Sequence, residues 1–300
     1  MSPGRRDGTL NAMTVDVEDH FQVSVFDGVV PRRQWAELES RVAANTERLL
    51  AMFDEARVRA TFFVLGWVGE RVPRLVRDIA SAGHEVASHG YAHRLVYDQT
   101  PADFRADVRR AKCVLEDACG VSVAGYRAPS YSITPRSLWA LDILIEEGYR
   151  YDTSIFPIHH DRYGIPLSPR HAWCVHRPAG TLIEVPASTI ALGRLNLPIG
   201  GGGYFRILPY PWTRFGIAHV NTVERRPVVF YIHPWEIDPD QPHLSIGWVG
   251  RFRHYRNLDK TEGRLRRLLD EFAFAPMRTV LTQIDLEPTT VPALTLPYVW

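Results

Sequence analysis

Apolar positions along the first half of the chain switch between two rhythms. Short continuous runs read as buried strands: residues 11–17, which end in acids, 60–65, 85–88 and 123–126. Between them the spacing changes to three and four residues, the mark of helices with one apolar face. Residues 34–56 carry Trp35, Leu38, Val42, Leu49, Met52 and Phe53 in this way, with a break expected near Asn45-Thr46. Residues 73–82 read as a helix closed by Gly83. Residues 101–118 place Phe104, Val108, Ala111, Leu115 and Ala118 on one face, with Gly120 as the stop, and residues 135–147 run to Gly148. Later strands are expected over 181–185 and 227–232. A last amphipathic helix is expected over 259–272, with Leu265, Leu268, Leu269 and Phe272 together. Pro and Gly thicken between Phe156 and Pro211, which predicts long loops.

Strands alternating with helices predict an α/β fold with parallel pairing, in a barrel or an open sheet. The 300 residues hold no repeat and no low-complexity linker. The net charge of +1 gives no reason to expect nucleic acid or another polyanion as a partner. No apolar run reaches the roughly 18 residues of a membrane span, so no transmembrane segment is expected. The N-terminal stretch has two arginines and no apolar segment behind them, which argues against a secretory signal. Cys113, Cys119 and Cys174 are sparse and odd in number, as in a reducing compartment. These features predict a cytoplasmic protein, with peripheral attachment to the inner membrane left open.

Four short signatures carry the chemistry, each just after an expected strand, where α/β folds place their sites. The first is Thr14-Val-Asp-Val-Glu-Asp19. Asp16, at the strand end, is the candidate general base that takes a proton from water. Asp19 is the preferred acidic metal ligand, with Glu18 as its rival. The second is Ser88-His-Gly-Tyr-Ala-His93, whose two imidazoles four residues apart can face one ion from a helical turn. The third is Arg127-Ala-Pro-Ser-Tyr131: Arg127 would keep Asp16 ionised, and the Tyr131 backbone N–H would meet an oxyanion. The fourth is His233, which ends Tyr231-Ile-His and would protonate a leaving amine, held and charged by Asp152. The Gly200–Gly203 run lacks the Lys-Ser/Thr of a phosphate loop and reads as a groove wall. The basic stretch Arg251–Arg256 reads as a solvated face.

These motifs resemble the polysaccharide deacetylases, the NodB-homology or carbohydrate esterase family 4 enzymes, over about residues 13–235. Thr14–Asp19 is similar to an expanded form of that family's Thr-Phe-Asp-Asp motif. His89 and His93 match its metal histidines, and Arg127, Pro129 and Tyr131 match its Arg-x-Pro-x-Tyr motif. Asp152 and Ser154 resemble its fourth motif, and His233 its fifth. Tyr231–Glu236, Gln241-Pro242 and residues 253–259 resemble a branch with a C-terminal extension (DUF3473), associated with XrtA/PEP-CTERM exopolysaccharide gene clusters. The resemblance implies a distorted (β/α)7-type barrel over residues 1–240, with residues 241–300 as an extension packed on it. It implies one divalent ion, zinc by preference and cobalt or another ion otherwise, held by Asp19 or Glu18 with His89 and His93. The implied activity is N-deacetylation of N-acetylhexosamine units in a bacterial exopolysaccharide or its precursor, with exopolysaccharide-synthesis proteins as partners. Hydrolysis of another C–N bond, as in allantoinase-like or deformylating relatives, and non-catalytic carbohydrate binding are the alternatives.

Overall fold

The computed structural model describes residues 8–286. Residues 287–300 of the expected extension, and 1–7 of the N-terminal stretch, lie outside the described residues. In chain order the elements are β1 (Asn11–Val17), α1 (Val42–Glu55), β2 (Thr61–Val64), α2 (Gly66–Arg71), α3 (Pro73–Ser81), β3 (Glu85–Ser88), α4 (Pro101–Cys119), β4 (Gly125–Tyr126), α5 (Trp139–Glu146) and β5 (Tyr151–Asp152). There follow β6 (Trp173–Arg177), β7 (Gly180–Glu184), β8 (Thr189–Leu192), β9 (Leu195–Pro198), α6 (Gly202–Ile207), α7 (Tyr210–His219), β10 (Val229–Ile232), α8 (Trp248–Tyr255), α9 (Leu258–Glu271), β11 (Phe274–Ala275) and α10 (Met277–Leu281). The chain is α/β, as the two rhythms predict. No helix among the described residues is long and apolar enough to cross a membrane.

Contacts divide the chain into two compact units. The first comprises residues 8–62 with 77–85 and 199–284. Its centre is β1, buried at every position and paired in parallel with β10 and β11. That burial on both faces explains why β1 reads as a continuous apolar run. The glycine run at 200–203 belongs here. Gly201, at φ +123°, forms a parallel bridge to Tyr231, and a Cβ on it would lie 1.9 Å from the Tyr231 carbonyl oxygen. The run therefore lets backbone approach backbone, rather than binding phosphate.

The second unit comprises residues 63–76 and 86–198 with 285–286. Here β3, β4, β5 and β7 pair in parallel succession, and β6 joins β7 antiparallel. The helix α4 follows its sequence signals closely. Thr100 accepts the Asp103 N–H at the N-cap, Pro101 opens the first turn, and Gly120 ends it at φ 70°. The stretch expected to be long loops holds the expected 181–185 strand as β7, and besides it β6, the hairpin β8–β9 and the helix α6, which were not expected. Its strands are short and its glycines sit at the turns, so no period is long enough to read.

Candidate active site

Asp16, Glu18 and Asp19 leave the end of β1, all buried. Their partners separate them. Asp19 Oδ2 accepts from Ser40 Oγ at 2.6 Å and from the backbone N–H groups of Arg41 at 3.0 Å and Val42 at 3.3 Å. Its Oδ1 accepts the His20 N–H at 3.0 Å. Asp19 thus serves as a long-range cap for α1, whose first N–H groups have no partner within the helix. This places the break in the 34–56 segment at residues 38–41 and starts the helix at Val42, rather than near Asn45-Thr46 as the pattern predicts. Glu18 faces elsewhere. Its Oε1 accepts the Trp235 indole N–H at 3.2 Å and lies 3.7 Å from His233 Nε2, which is also 3.7 Å from Asp16 Oδ2.

His233 is held by Glu236, not by Asp152, the residue expected in that role. Glu236 Oε2 lies 3.0 Å from His233 Nδ1 and also accepts the His233 backbone N–H at 3.0 Å. Glu236 Oε1 accepts from Arg206 Nε at 2.6 Å. The other Arg206 nitrogens donate to the backbone oxygens of Arg253, His254 and Arg256, at the C-terminal end of α8. Burial works against a charged His233, and the carboxylates of Glu236, Glu18 and Asp16 outweigh it, raising its pKa to about 9. For Glu236, burial pushes the pKa up, and Arg206 and His233 bring it down to about 2. Trp235 stacks between His233 (centroids 5.1 Å) and His254 (4.2 Å), and His254 Nε2 lies 2.9 Å from Gln241 Oε1.

In the second unit, β3 delivers His89 and a loop carries His93. The expected helical turn is absent: Gly90 is at φ 74° and His93 at φ 48°, both left-handed. The loop is pinned by Asp107 on α4, which accepts the N–H groups of Tyr91 at 2.7 Å and Ala92 at 3.4 Å. His89 Nδ1 lies 2.8 Å from the Arg127 carbonyl oxygen. A carbonyl only accepts, so Nδ1 carries the proton and Nε2 keeps its lone pair. Arg127 is fully buried, its guanidinium 4.2 Å from the Phe63 ring centroid and its Nη2 3.4 Å from Thr153 Oγ1.

The Tyr131 N–H donates to the Ala128 carbonyl at 3.1 Å, closing a tight turn in which Ser130 and Tyr131 are both left-handed. An oxyanion there would have to share a donor already directed at Ala128. Asp152 Oδ1 accepts from Ser154 Oγ at 2.5 Å, and Ser154 in turn accepts the Ala128 N–H at 2.8 Å. Asp152 therefore braces the Arg127 loop. Burial raises its pKa to about 6, and burial together with the neighbouring Asp152 carboxylate lifts that of Glu184 well above the usual range.

Among the described residues, one group of His, Cys, Asp and Glu side chains could hold a metal ion: Glu18, His89 and His93. Each is buried and offers one ligand atom, and these atoms lie within 4.8 Å of one another. The donor set fits a divalent ion: one carboxylate and two imidazoles are the three protein ligands of many hydrolytic sites. The Arg127 carbonyl supplies the outer hydrogen bond that such a histidine needs.

Two parts of the chain match known families. Residues 27–151 match the polysaccharide deacetylase family, and residues 153–282 match a domain of unknown function, DUF3473. The chain is 31% identical over 99 residues to a chitooligosaccharide deacetylase of Bradyrhizobium, covering 33% of this chain and 43% of the relative. It is 30% identical over 114 residues to a peptidoglycan deacetylase of Helicobacter pylori, covering 38% and 37%. The chain thus spans less than half the length of these curated relatives. In fold it is similar to a Mycobacterium smegmatis protein described as a polysaccharide deacetylase, with a TM-score of 0.63 at 21% identity over 97% of this chain and 99% of that one. It is similar also to an allantoinase, at 0.62 and 13% over 92% and 90%. The α/β fold of distorted-barrel type is shared with these structures.

Sequence reasoning missed Asp107, Glu184, Arg206 and Glu236. Glu236 was within reach, since it stands three residues beyond His233 in Tyr-Ile-His-Pro-Trp-Glu and a tight turn brings such a pair together. Arg206 and Asp107 had no local signal, because both act on segments distant in sequence. The residues that mark the branch, Trp235, Glu236, Gln241 and His254, pack behind His233.

Proposed function

We propose that this chain is a metal-dependent N-deacetylase acting on N-acetylhexosamine units of a bacterial exopolysaccharide or its precursor. The observation that carries the reading is the Glu18–His89–His93 donor group in a chain where His233 lies 3.7 Å from both Asp16 and Glu18. Glu18 is the acidic ligand in this proposal, since Asp19 is occupied in capping α1. Zinc is the ion of first choice for this donor set. A divalent ion held there would polarise an acetamide carbonyl and make water a stronger nucleophile.

The remaining steps belong to side chains. A carboxylate of Asp16 takes the proton of the attacking water. Arg127 is assigned to orient Asp16. His233, oriented through Nδ1 by Glu236, gives the proton on Nε2 to the departing amine, so that the C–N bond breaks to leave acetate and a free amino sugar. The names of the relatives support the substrate class: a Bacillus cereus protein, 29% identical over 98 residues, is a peptidoglycan-N-acetylglucosamine deacetylase.

Acetate release from N-acetylglucosamine oligomers tests the proposal. Metal-loaded protein should release acetate, and Asp16→Asn should reduce turnover on the order of a hundredfold or more while keeping its metal. No acetate from metal-loaded protein would overturn the reading. Loss of metal in Asp16→Asn would make Asp16 a ligand.

A further inference from the structure

We infer that α8 carries a surface that docks on a bilayer of anionic phospholipid. Such a surface would act whatever the chain hydrolyses, so it stands apart from the deacetylase reading. An amphipathic helix ordinarily turns its apolar side inwards. On α8 that order is reversed. Trp248 is 82% exposed, Phe252 47% and Val249 42%, while the buried residue of the helix is His254. Single exposed apolar side chains are ordinary, but three on one helix face make a patch.

Helical geometry gathers the three. At about 100° per residue, Trp248, Phe252 and Val249 fall within one arc of roughly 100°. Arg251 flanks this arc on one side and Arg253 on the other, and both are exposed. Arg256, exposed just past the helix, lies with its guanidinium 5.5 Å from the Phe252 ring centroid. No Asp or Glu stands between Asp240 and Asp259, so this segment carries three guanidinium charges and no carboxylate. The rest of the helix is anchored. A Cβ on Gly250 would lie 2.9 Å from Val25 Cγ2, the Tyr255 hydroxyl accepts the Leu244 N–H at 2.9 Å, and Arg206 holds the carbonyls of Arg253, His254 and Arg256. The patch is therefore presented by a fixed element.

Charge and ring chemistry together select the occupant. Projecting indole and phenyl rings flanked by arginines match the boundary of a bilayer. There the rings sink to headgroup depth, and the guanidinium groups pair with phosphates. A soluble polyanion would use the arginines and leave Trp248 and Phe252 in water. A protein partner would need a carboxylate opposite each of three arginines, whereas an anionic bilayer supplies phosphate at every position. The same contact brings to a membrane a chain in which no described helix can cross one.

Flotation of the full chain with lipid vesicles tests this. Wild type should float with vesicles of phosphatidylcholine containing one-third phosphatidylglycerol and stay unbound with phosphatidylcholine alone. Raised salt should weaken the binding. Arg251→Gln and Arg256→Gln should each weaken it roughly fivefold. Trp248→Ser combined with Phe252→Ser should weaken it roughly tenfold or more. All four positions are exposed, so Tm should match wild type. No flotation with either vesicle, equal flotation with both, or an aromatic double variant that floats like wild type would each overturn the membrane surface. The last result would leave a charge-only surface for polyanions. Absence of flotation with a concentration-dependent mass would instead make the patch a contact between copies of this chain.

Discussion

Glu18 and Asp19 are neighbours of like chemistry whose work differs because of what each meets. Asp19 receives four donors from α1 and the residues around it, so its charge is used in structure. Glu18 faces Trp235 and His233. Glu18→Gln should therefore abolish stoichiometric metal binding, whereas Asp19→Asn should retain it, as read by elemental analysis of dialysed protein. Retention by the first or loss by the second would reverse the assignment. Glu236 makes a second case. It fixes the ring of His233 and keeps it charged, so Glu236→Gln should lower kcat on the order of a hundredfold at full metal content. A kcat within twofold of wild type would show that His233 needs no such partner.

At the scale of elements, α1 and α8 are both held at their ends by side chains far away in sequence. The cap that Asp19 supplies to α1 is worth about 1–2 kcal/mol, so Asp19→Ala should lose that much in urea denaturation; an unchanged midpoint would deny the cap. Arg206 holds the C-terminal carbonyls of α8 while it pairs with Glu236, at 2% and 1% side-chain exposure. Removing one partner of such a buried pair costs about 3–5 kcal/mol. Through this arginine the extension is joined to His233: α8 positions Arg206, Arg206 positions Glu236, and Glu236 positions the imidazole.

For the whole molecule, acid sensitivity has an identifiable source in the core. His84 is buried and its Nδ1 accepts the Ala60 N–H at 3.0 Å, which requires a neutral ring. Burial, with Arg59 nearby, lowers its pKa to about 4. The unfolded chain, with the ordinary value of 6.5, binds a proton between these limits that the folded chain refuses. Stability should therefore fall as pH drops from 6.5 towards 4. In His84→Gln, which keeps an acceptor and cannot titrate, Tm should depend less on pH across that window; parallel slopes would refute the assignment.

The sequence by itself determined the α/β class, the position of most strands and helices in the first half, and the residue types that could perform a metal-assisted hydrolysis. Those are local properties: period, capping and motif spacing are written in consecutive residues. The tertiary structure decided which of two adjacent acids caps a helix, that the His89–His93 spacing is realised in a pinned loop, and that Glu236 rather than Asp152 holds His233. These depend on partners outside the segment itself, such as Arg41 for Asp19 (22 residues), Asp107 for Tyr91 (16 residues) or Trp235 for Glu18 (217 residues), and Glu236, three residues from His233, is itself fixed by Arg206, 30 residues away. No periodicity records such pairings, because side-chain partners across a fold are set by packing and not by order along the chain.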